Sequence, residues 1–315
     1  SQRVALMFNI KSMDIIPSYM CNLNCEFCLT GDCDKTLLLD LKLCEKVFKI
    51  LKAEENSLEL ITIYGGEVML LDTEYLKDLI LLCKSYFPDA ILGAISNLIF
   101  VNEAVLRLFT DLNVCISTSY DSLRFMNKPY VLKSWIKNYS ALRDLVRDIL
   151  IIATPYVRND VRFLEKIISL ETRIHVYQLI IPSVASKRRQ SFIASYVLSP
   201  DEYVQTLRYL RCIYGNNIFH HNSISRFMFN HIHLLPEGIV SIAGPCYEKG
   251  YPYEKMYEIW NDNEDTITFS RRRLDYIQKQ LSYCLPCDFH PERCYAEYFY
   301  PDCCLGEKRL FFNHF

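Results

Sequence analysis

The sequence lacks an excess of either charge, and it lacks a long apolar run. Its 35 Lys and Arg residues nearly balance its 37 Asp and Glu residues, which gives a formal net charge of -2. Proteins that bind nucleic acid through its phosphates normally present a basic face, so no nucleic-acid partner is expected.

No stretch approaches the roughly eighteen uninterrupted apolar residues of a membrane-spanning helix. Lys11 and Asp14 interrupt the amino terminus, which shows no secretory signal. We therefore expect a cytoplasmic protein without membrane association.

Cysteine, by contrast, is abundant, with 14 residues in the chain. In a reducing compartment such thiols more often hold metals or clusters than form disulfides. One group lies near the start of the chain and comprises Cys21, Cys25 and Cys28. A second group lies near its end and comprises Cys246, Cys284, Cys287, Cys294, Cys303 and Cys304. We interpret the other five as small apolar fillers, because most of them fall in periodic segments.

Helix-like and strand-like segments alternate from about residue 37 onward, which is typical of an α/β fold with a parallel sheet. About six strands with right-handed crossovers predict a partial (β/α)6 barrel, with ligands at the carboxyl ends of its strands. After Pro182 we expect a polar loop that contains the basic run Lys187, Arg188 and Arg189, interpreted as solvent-exposed. A helix after Ser199-Pro200 should follow.

A β-hairpin is predicted around Pro236-Glu237-Gly238, and the rest of the chain shows little periodicity. The two histidines of this hairpin, His231 and His233, receive no role, since lone histidines in strands are mostly packing residues. The predicted domains are an amino-terminal extension at 1–12, the partial barrel at 13–182, a connecting loop and helix at 183–223, and a small Cys-rich α+β domain at 224–315.

The first cysteine group has the spacing C-x3-C-x2-C in the segment MCNLNCEFC. Three thiolates from one loop can hold three irons of a [4Fe-4S] cluster, which leaves the fourth iron open for a non-protein ligand. A zinc loop is the alternative that this spacing leaves open.

This spacing, with the aromatic Phe27 before the last cysteine, resembles the signature of the radical S-adenosylmethionine (SAM) superfamily. The resemblance covers roughly residues 13–182. It implies that SAM chelates the open iron of a [4Fe-4S] cluster and is cleaved by one electron to a 5′-deoxyadenosyl radical. It identifies no catalytic side chain in this sequence.

Further motifs at strand ends extend the resemblance. The segment IYGGEVML is similar to the family's "GGE" motif, which holds the methionine ammonium of SAM, and CISTSYDS is similar to its "ISISLDG" stretch. Small hydroxyl and acidic side chains at these ends suit ribose hydroxyls. Turn and helix capping is the alternative role for each of them. The SAM-binding residues implied by the resemblance are Phe27, Gly65, Gly66, Glu67, Ser96, Asn97, Ser117, Ser119 and Asp121.

The carboxyl-terminal cysteines resemble the SPASM or twitch extension of radical SAM maturases, through LLPEGIVSIAGPC and CLPCDFHPERC. This implies a second, auxiliary [4Fe-4S] cluster held by Cys246, Cys284, Cys287 and Cys294, with Cys303 or Cys304 able to replace one of them. A zinc ion held by four thiolates satisfies the same spacing.

Together these features predict a radical SAM enzyme that oxidatively modifies a side chain of a ribosomally made peptide or protein, by a carbon-carbon or thioether crosslink. One alternative is a radical SAM enzyme acting on a small metabolite or nucleotide in cofactor biosynthesis. Another is a non-catalytic iron-sulfur or zinc protein. The expected partners are a peptide substrate and an electron donor such as flavodoxin or ferredoxin. Since only twenty residues precede Cys21, we also expect either a separate leader-peptide-binding protein or a small substrate.

Overall fold

The computed structural model describes residues 10–28, 30–53, 55–126, 128–168, 172–179, 186–199, 218–220, 231–238 and 240–241, with 202, 205–206, 208–210 and 212. Nine strands within these described ranges form one sheet. The strands are β1 (Ser12–Ile15), β2 (Leu60–Ile63), β3 (Ile91–Ser96), β4 (Cys115–Tyr120), β5 (Val146–Ala153), β6 (Arg173–Gln178), β7 (Ile218–His220), β8 (His231–Leu234) and β9 (Val240–Ser241). The helices are α1 (Leu41–Ala53), α2 (Thr73–Tyr86), α3 (Glu103–Asp111), α4 (Ser122–Phe125), α5 (Pro129–Leu142), α6 (Val157–Glu165) and α7 (Lys187–Ala194).

The sheet has the order β7-β6-β5-β4-β3-β2-β1-β8-β9. Strands β1 to β6 pair in parallel with their successors, and β7 continues this pattern beyond β6. On the opposite side β8 pairs in parallel with β1, and β9 returns antiparallel to β8. Helices connect the successive parallel strands β1 to β6. The predicted α/β partial barrel is therefore confirmed, and β1 to β6 are its six expected strands.

The two faces of the sheet differ in polarity because side chains alternate along each strand. In β5, Ile149, Ile151 and Ala153 are buried in the main hydrophobic core, which also contains residues of the helices. The alternate residues of the strands lie on the other face, which we call the inner face. Its polar members include Ser12, Asp14, Thr62, Ser117, Ser119, Asp148, Arg173, His175, Tyr177, His231 and His233.

Two local predictions need correction. The expected polar loop after Pro182 is wrong over Lys187–Ala194, which forms α7. Tertiary contacts stabilise this polar helix, because Ile193 is fully buried. The helical spacing of residues 133–146 predicts a helix that starts at Lys133. In the structure this helix, α5, begins four residues earlier, at Pro129, because proline suits the first turn of a helix.

The hairpin prediction is confirmed, because β8 and β9 flank a turn at Pro236-Glu237-Gly238 in which Gly238 has a φ of 74°. The parallel pairing of β8 with β1 was not expected from the sequence. All six carboxyl-terminal cysteines, from Cys246 to Cys304, lie outside the described residues. Among the residues that the structure describes, no helix combines the length and the apolar character needed to cross a membrane.

Candidate cofactor site

The cysteine loop follows the carboxyl end of β1, where the fold predicts a ligand site. Cys21, Cys25 and Cys28 lie on this loop, and none of them forms a disulfide. The backbone turns through a hydrogen bond from Cys28 N to Cys25 O (3.1 Å) and one from Gly31 N to Cys28 O (3.2 Å). Cys25 is buried, while Cys21 and Cys28 are partly exposed. The loop thus offers three thiols from eight consecutive residues.

Gly65 and Gly66 let the end of β2 lie directly against the segment before Cys21. Gly66 N donates to Ser18 O at 2.9 Å, and Glu67 N donates to Met20 O at 2.8 Å. A Cβ atom on Gly66 would lie 2.0 Å from Met20 O, and Gly65 has a φ of 124°, which favours glycine. The glycines therefore support the cysteine loop through backbone contacts.

The Glu67 carboxylate ties the end of β2 to the end of β3. Its Oε1 accepts hydrogen bonds from Ser96 Oγ (2.7 Å) and Met69 N (3.0 Å), and its Oε2 accepts one from Asn97 N (2.7 Å). Burial raises the pKa of Glu67, and these donors oppose the shift. Since a carboxylate oxygen has two lone pairs, Oε2 keeps capacity for one further donor.

Asn97 extends this network to the cysteine loop. Its Nδ2 donates to Asn22 Oδ1 at 2.8 Å and lies 3.8 Å from Cys21 Sγ. The next residue, Leu98, has a φ of 53°, and Asn138 of α5 donates to its carbonyl at 2.8 Å. The structure therefore places Ser96 and Asn97 next to the cysteine loop, and their direct contact with SAM stays a prediction.

Arg124 is a site residue that the sequence analysis missed. It lies in α4, directly after β4, with a side chain that is about nine-tenths buried. Its Nε lies 3.4 Å from Asp121 Oδ2, and within the described part of the chain neither atom has a hydrogen-bond partner. Burial raises the pKa of Cys25 to about 11, and the positive charge of Arg124 opposes that rise. A buried guanidinium next to thiols stabilises their ionised form.

The remaining predicted residues lie in β4 or directly after it, and they have two different roles. Asp121 Oδ1 accepts from Arg124 N at 2.7 Å and so caps α4. Ser117 and Ser119 lie on the inner face, because Thr118 between them is fully buried on the helix side. The structure thus places the two hydroxyls on the same face as the polar residues of β1 and β5.

Phe27 is buried in a small apolar cluster with Cys25, Leu123 of α4 and Ile193 of α7. It therefore anchors the loop to two helices, and a direct role in cofactor binding stays a prediction.

Arg189 of α7 binds the cysteine loop from the outside. One guanidinium nitrogen donates to Cys25 O (2.6 Å), the second to Asn24 Oδ1 (2.9 Å), and Nε to Asp32 Oδ1 (2.9 Å). The Arg189 side chain is 12% exposed. The interpretation of the basic run as solvent-exposed is therefore wrong for Arg189. Its planar group fills the space where a Gly31 side chain would clash.

Asp160 of α6 is a second buried carboxylate near α4. It accepts hydrogen bonds from Ser122 N (3.1 Å) and from Ser122 Oγ. Burial raises the pKa of Asp160 to about 6, a shift that the charge of Asp121 reinforces and the Ser122 hydrogen bonds oppose. The folded protein therefore retains a proton that the unfolded chain releases near its ordinary pKa of 3.8.

This shift predicts a pH-dependent stability difference between wild type and Asp160→Asn. The folded state binds more protons than the unfolded state between about pH 4 and pH 6, so the contribution of Asp160 to stability falls as pH rises through this window. From about pH 5 to pH 7.5, wild type should lose about 1.4 kcal/mol of unfolding free energy relative to the variant. Urea unfolding of both proteins at both pH values measures this difference. Equal losses in the two proteins would show that Asp160 titrates normally.

Comparisons with known proteins agree with this arrangement. Residues 15–165 match the family model of the radical SAM superfamily. The structure of native anSMEcpe with bound AdoMet and Cp18Cys peptide is 16% identical, covers 91% of this chain and 87% of its own, and gives a TM-score of 0.61. Streptococcus suis SuiB bound to S-adenosylmethionine is 14% identical, covers 84% and 68% respectively, and gives a TM-score of 0.59. These two show a shared fold. No curated protein sequence matches the chain.

The residues around the loop fit the [4Fe-4S] cluster and SAM that this family implies. Three thiols that form no disulfide are available on one loop, which matches a cluster with one open iron. The buried Arg124 Nε forms no hydrogen bond with a described residue but is ion-paired with Asp121 Oδ2 at 3.4 Å, so an anionic ligand would share this cation with Asp121.

Proposed function

We propose that this chain, whose residues 15–165 match the radical SAM family model, is a radical SAM enzyme that oxidatively modifies a side chain of a ribosomally made peptide or protein. The observation that carries this proposal is the cysteine loop, with three thiols at the carboxyl end of β1, next to the buried cation Arg124. When bound, the [4Fe-4S] cluster and SAM supply a 5′-deoxyadenosyl radical after one electron is donated, as from flavodoxin or ferredoxin.

The chain's own residues bind and orient these groups. Cys21, Cys25 and Cys28 are the proposed cluster ligands, and burial raises the pKa values of Cys21 and Cys25. Binding of the cluster must therefore release protons from these thiols, which bind iron as thiolates. Arg124 Nε offers a charge-assisted donor to the carboxylate of SAM. Ser117 and Ser119 offer hydroxyls on the inner face.

The proposal also specifies the class of substrate, a peptide. Support comes from the shared fold with anSMEcpe, whose structure contains a Cp18Cys peptide. A crosslink that removes two hydrogens from the peptide balances as one hydrogen atom transferred to the 5′-deoxyadenosyl radical, one proton and one electron. We propose the second cluster as the acceptor of that electron. Its ligands Cys246, Cys284, Cys287 and Cys294 lie outside the described residues.

The test measures SAM cleavage and peptide mass together. Anaerobically reconstituted, reduced protein should convert SAM to 5′-deoxyadenosine, and short peptides encoded beside its gene should lose two hydrogens by mass spectrometry. Cys28→Ala should lower the 5′-deoxyadenosine yield at least about a hundredfold, since it removes a proposed cluster ligand.

Cys33→Ala is the matched control, because Cys33 lies five residues further along the same segment and should retain SAM cleavage. SAM cleavage stimulated by a nucleotide or metabolite, and by no peptide, would replace the peptide proposal with the small-molecule alternative. A protein that never cleaves SAM would contradict both and favour a non-catalytic iron-sulfur or zinc protein.

A further inference from the structure

A second group of potential metal ligands lies on the inner face, apart from the cysteine loop. It consists of Asp14 of β1 with His231 and His233 of β8. Asp14 Oδ2 lies 3.0 Å from His231 Nε2 and 3.2 Å from His233 Nδ1. The three potential ligand atoms all lie within 4.8 Å of one another.

Strand register produces this group. The parallel pairing of β1 and β8 places Asp14 opposite His233 and Ser12 opposite His231. Residues two apart in a strand share a face, so both histidines and the carboxylate lie on the inner face. Two adjacent strands of the sheet therefore hold the group, which gives it a fixed geometry.

The distances match those between ligands of one metal ion. Bonds of about 2.0 to 2.1 Å to a tetrahedral zinc ion put neighbouring ligand atoms about 3.3 Å apart. Both imidazoles direct a nitrogen to the same carboxylate oxygen, so all three potential ligand atoms are close enough together to bind one ion. Tyr64 Oη lies 3.2 Å from His233 Nδ1, which places a hydroxyl oxygen beside the group.

The other nitrogen of His231 is also oriented. Its Nδ1 lies 2.7 Å from Ser12 Oγ, which is buried. Metal-bound histidines almost always have such an outer partner, which fixes the ring and its tautomer. Ser12 thus supplies a feature that a chance approach of two histidines and a carboxylate does not require.

We propose that Asp14 Oδ2, His231 Nε2 and His233 Nδ1 bind one divalent first-row transition-metal ion, such as zinc. Imidazole and carboxylate ligands suit these ions. Three protein ligands leave at least one coordination position for water or for a donor atom of a bound substrate. The side chains of Asp14 and His233 are 17% and 14% exposed, so the proposed ligands are largely shielded from bulk water.

The atoms bound to a zinc ion distinguish this site from the cysteine sites, because this site offers nitrogen and oxygen and the cysteines offer sulfur. The protein is first loaded with iron and sulfide to saturation. It is then equilibrated anaerobically with one equivalent of zinc, unbound zinc is removed, and zinc per chain is measured by mass spectrometry of the metals. We expect one zinc per chain, with a zinc X-ray absorption spectrum that shows nitrogen or oxygen at about 2.0 to 2.1 Å and no sulfur at about 2.3 Å. Absence of zinc, or a shell containing sulfur, overturns the proposal.

Variants locate the ion. His233→Ala should weaken zinc binding more than about 100-fold, and Ser12→Ala, which removes only the outer partner, about 10- to 100-fold. His175→Ala is the matched control, since this inner-face histidine of β6 contacts Asp148 instead, at 2.9 Å, and should retain zinc. Full zinc retention by His233→Ala overturns the proposal. If circular dichroism shows that a variant does not fold, the zinc X-ray absorption spectrum of the wild-type protein tests the proposal instead.

Discussion

Gly66→Ala is expected to abolish SAM cleavage and to lower the iron content of the isolated protein. The new Cβ would lie 2.0 Å from Met20 O and 2.6 Å from Met20 C, distances that real Cβ atoms do not show. Both atoms belong to backbone, so the segment before Cys21 must move. A displacement of about 1 Å at a reacting centre can cost about a hundredfold in rate, and we expect at least that loss. The measurements are iron per chain after anaerobic reconstitution and 5′-deoxyadenosine formed per minute.

Gly93→Ala provides the matched control. Gly93 lies in β3, where a Cβ would contact only Cys115 O and Thr62 Cγ2, both at 3.9 Å. That is ordinary van der Waals contact, so iron content and SAM cleavage should stay near wild-type values. A Gly66→Ala variant that resembles Gly93→Ala in both measurements would show that the segment before Cys21 tolerates displacement. The role given to the glycine in supporting the loop would then be wrong.

The partial barrel was predictable from the sequence because its signals are local. Helical spacing in residues 41–55 and a β-rich run ending in two glycines predicted α1 and β2, and both form close to the expected positions. The spacing of Cys21, Cys25 and Cys28 likewise needs no tertiary information, since one loop carries all three. The match of residues 15–165 to the superfamily agrees with that pattern.

Residues brought in by tertiary packing were not predictable in this way. His231 lies 217 positions from Asp14 in the chain, and only the pairing of β8 with β1 brings them together. From the sequence, His231 and His233 received no role, because nothing local to the hairpin indicates a partner for them. Arg124 had a weak signal, since it lies three residues after the capping Asp121, yet nothing in that spacing indicates burial next to the thiols.

For Gly65, Gly66 and Glu67, the structure adds a physical role to the one implied by resemblance. The motif suggested contacts with SAM, whereas the described contacts are with the chain itself, through Ser18 O and Met20 O. Positioning the loop and binding SAM are compatible, because Glu67 Oε2 has capacity for another donor. A resemblance in sequence does not separate the two roles, since both require small residues and a carboxylate at the same strand end.

Two sets of contacts support the cysteine loop, one from the glycines at the end of β2 and one from Arg189 of α7. Loss of the Arg189 contacts is the second change from which we expect a large effect. Arg189→Ala should weaken cluster retention, because it removes three hydrogen bonds to Asn24, Cys25 and Asp32. Hydrogen bonds to charged groups contribute about 1.5 to 3 kcal/mol each and are not additive, so we expect about 3 kcal/mol, or roughly a hundredfold faster iron loss to a chelator. Arg189→Lys should not restore retention, since one ammonium cannot reach acceptors arranged for a planar fork.

Arg188→Ala is the control for this prediction, because it removes the same charge one residue away. The Arg188 side chain is mostly exposed and pairs with Glu26 at the surface, where an ion pair contributes little. Its iron loss should match that of wild type. Equal iron loss from Arg188→Ala and Arg189→Ala would mean that positive charge near the loop matters and the fork does not. Faster iron loss from Arg189→Ala alone would follow from the directional hydrogen bonds of the guanidinium, of which the one to Cys25 O is partly buried.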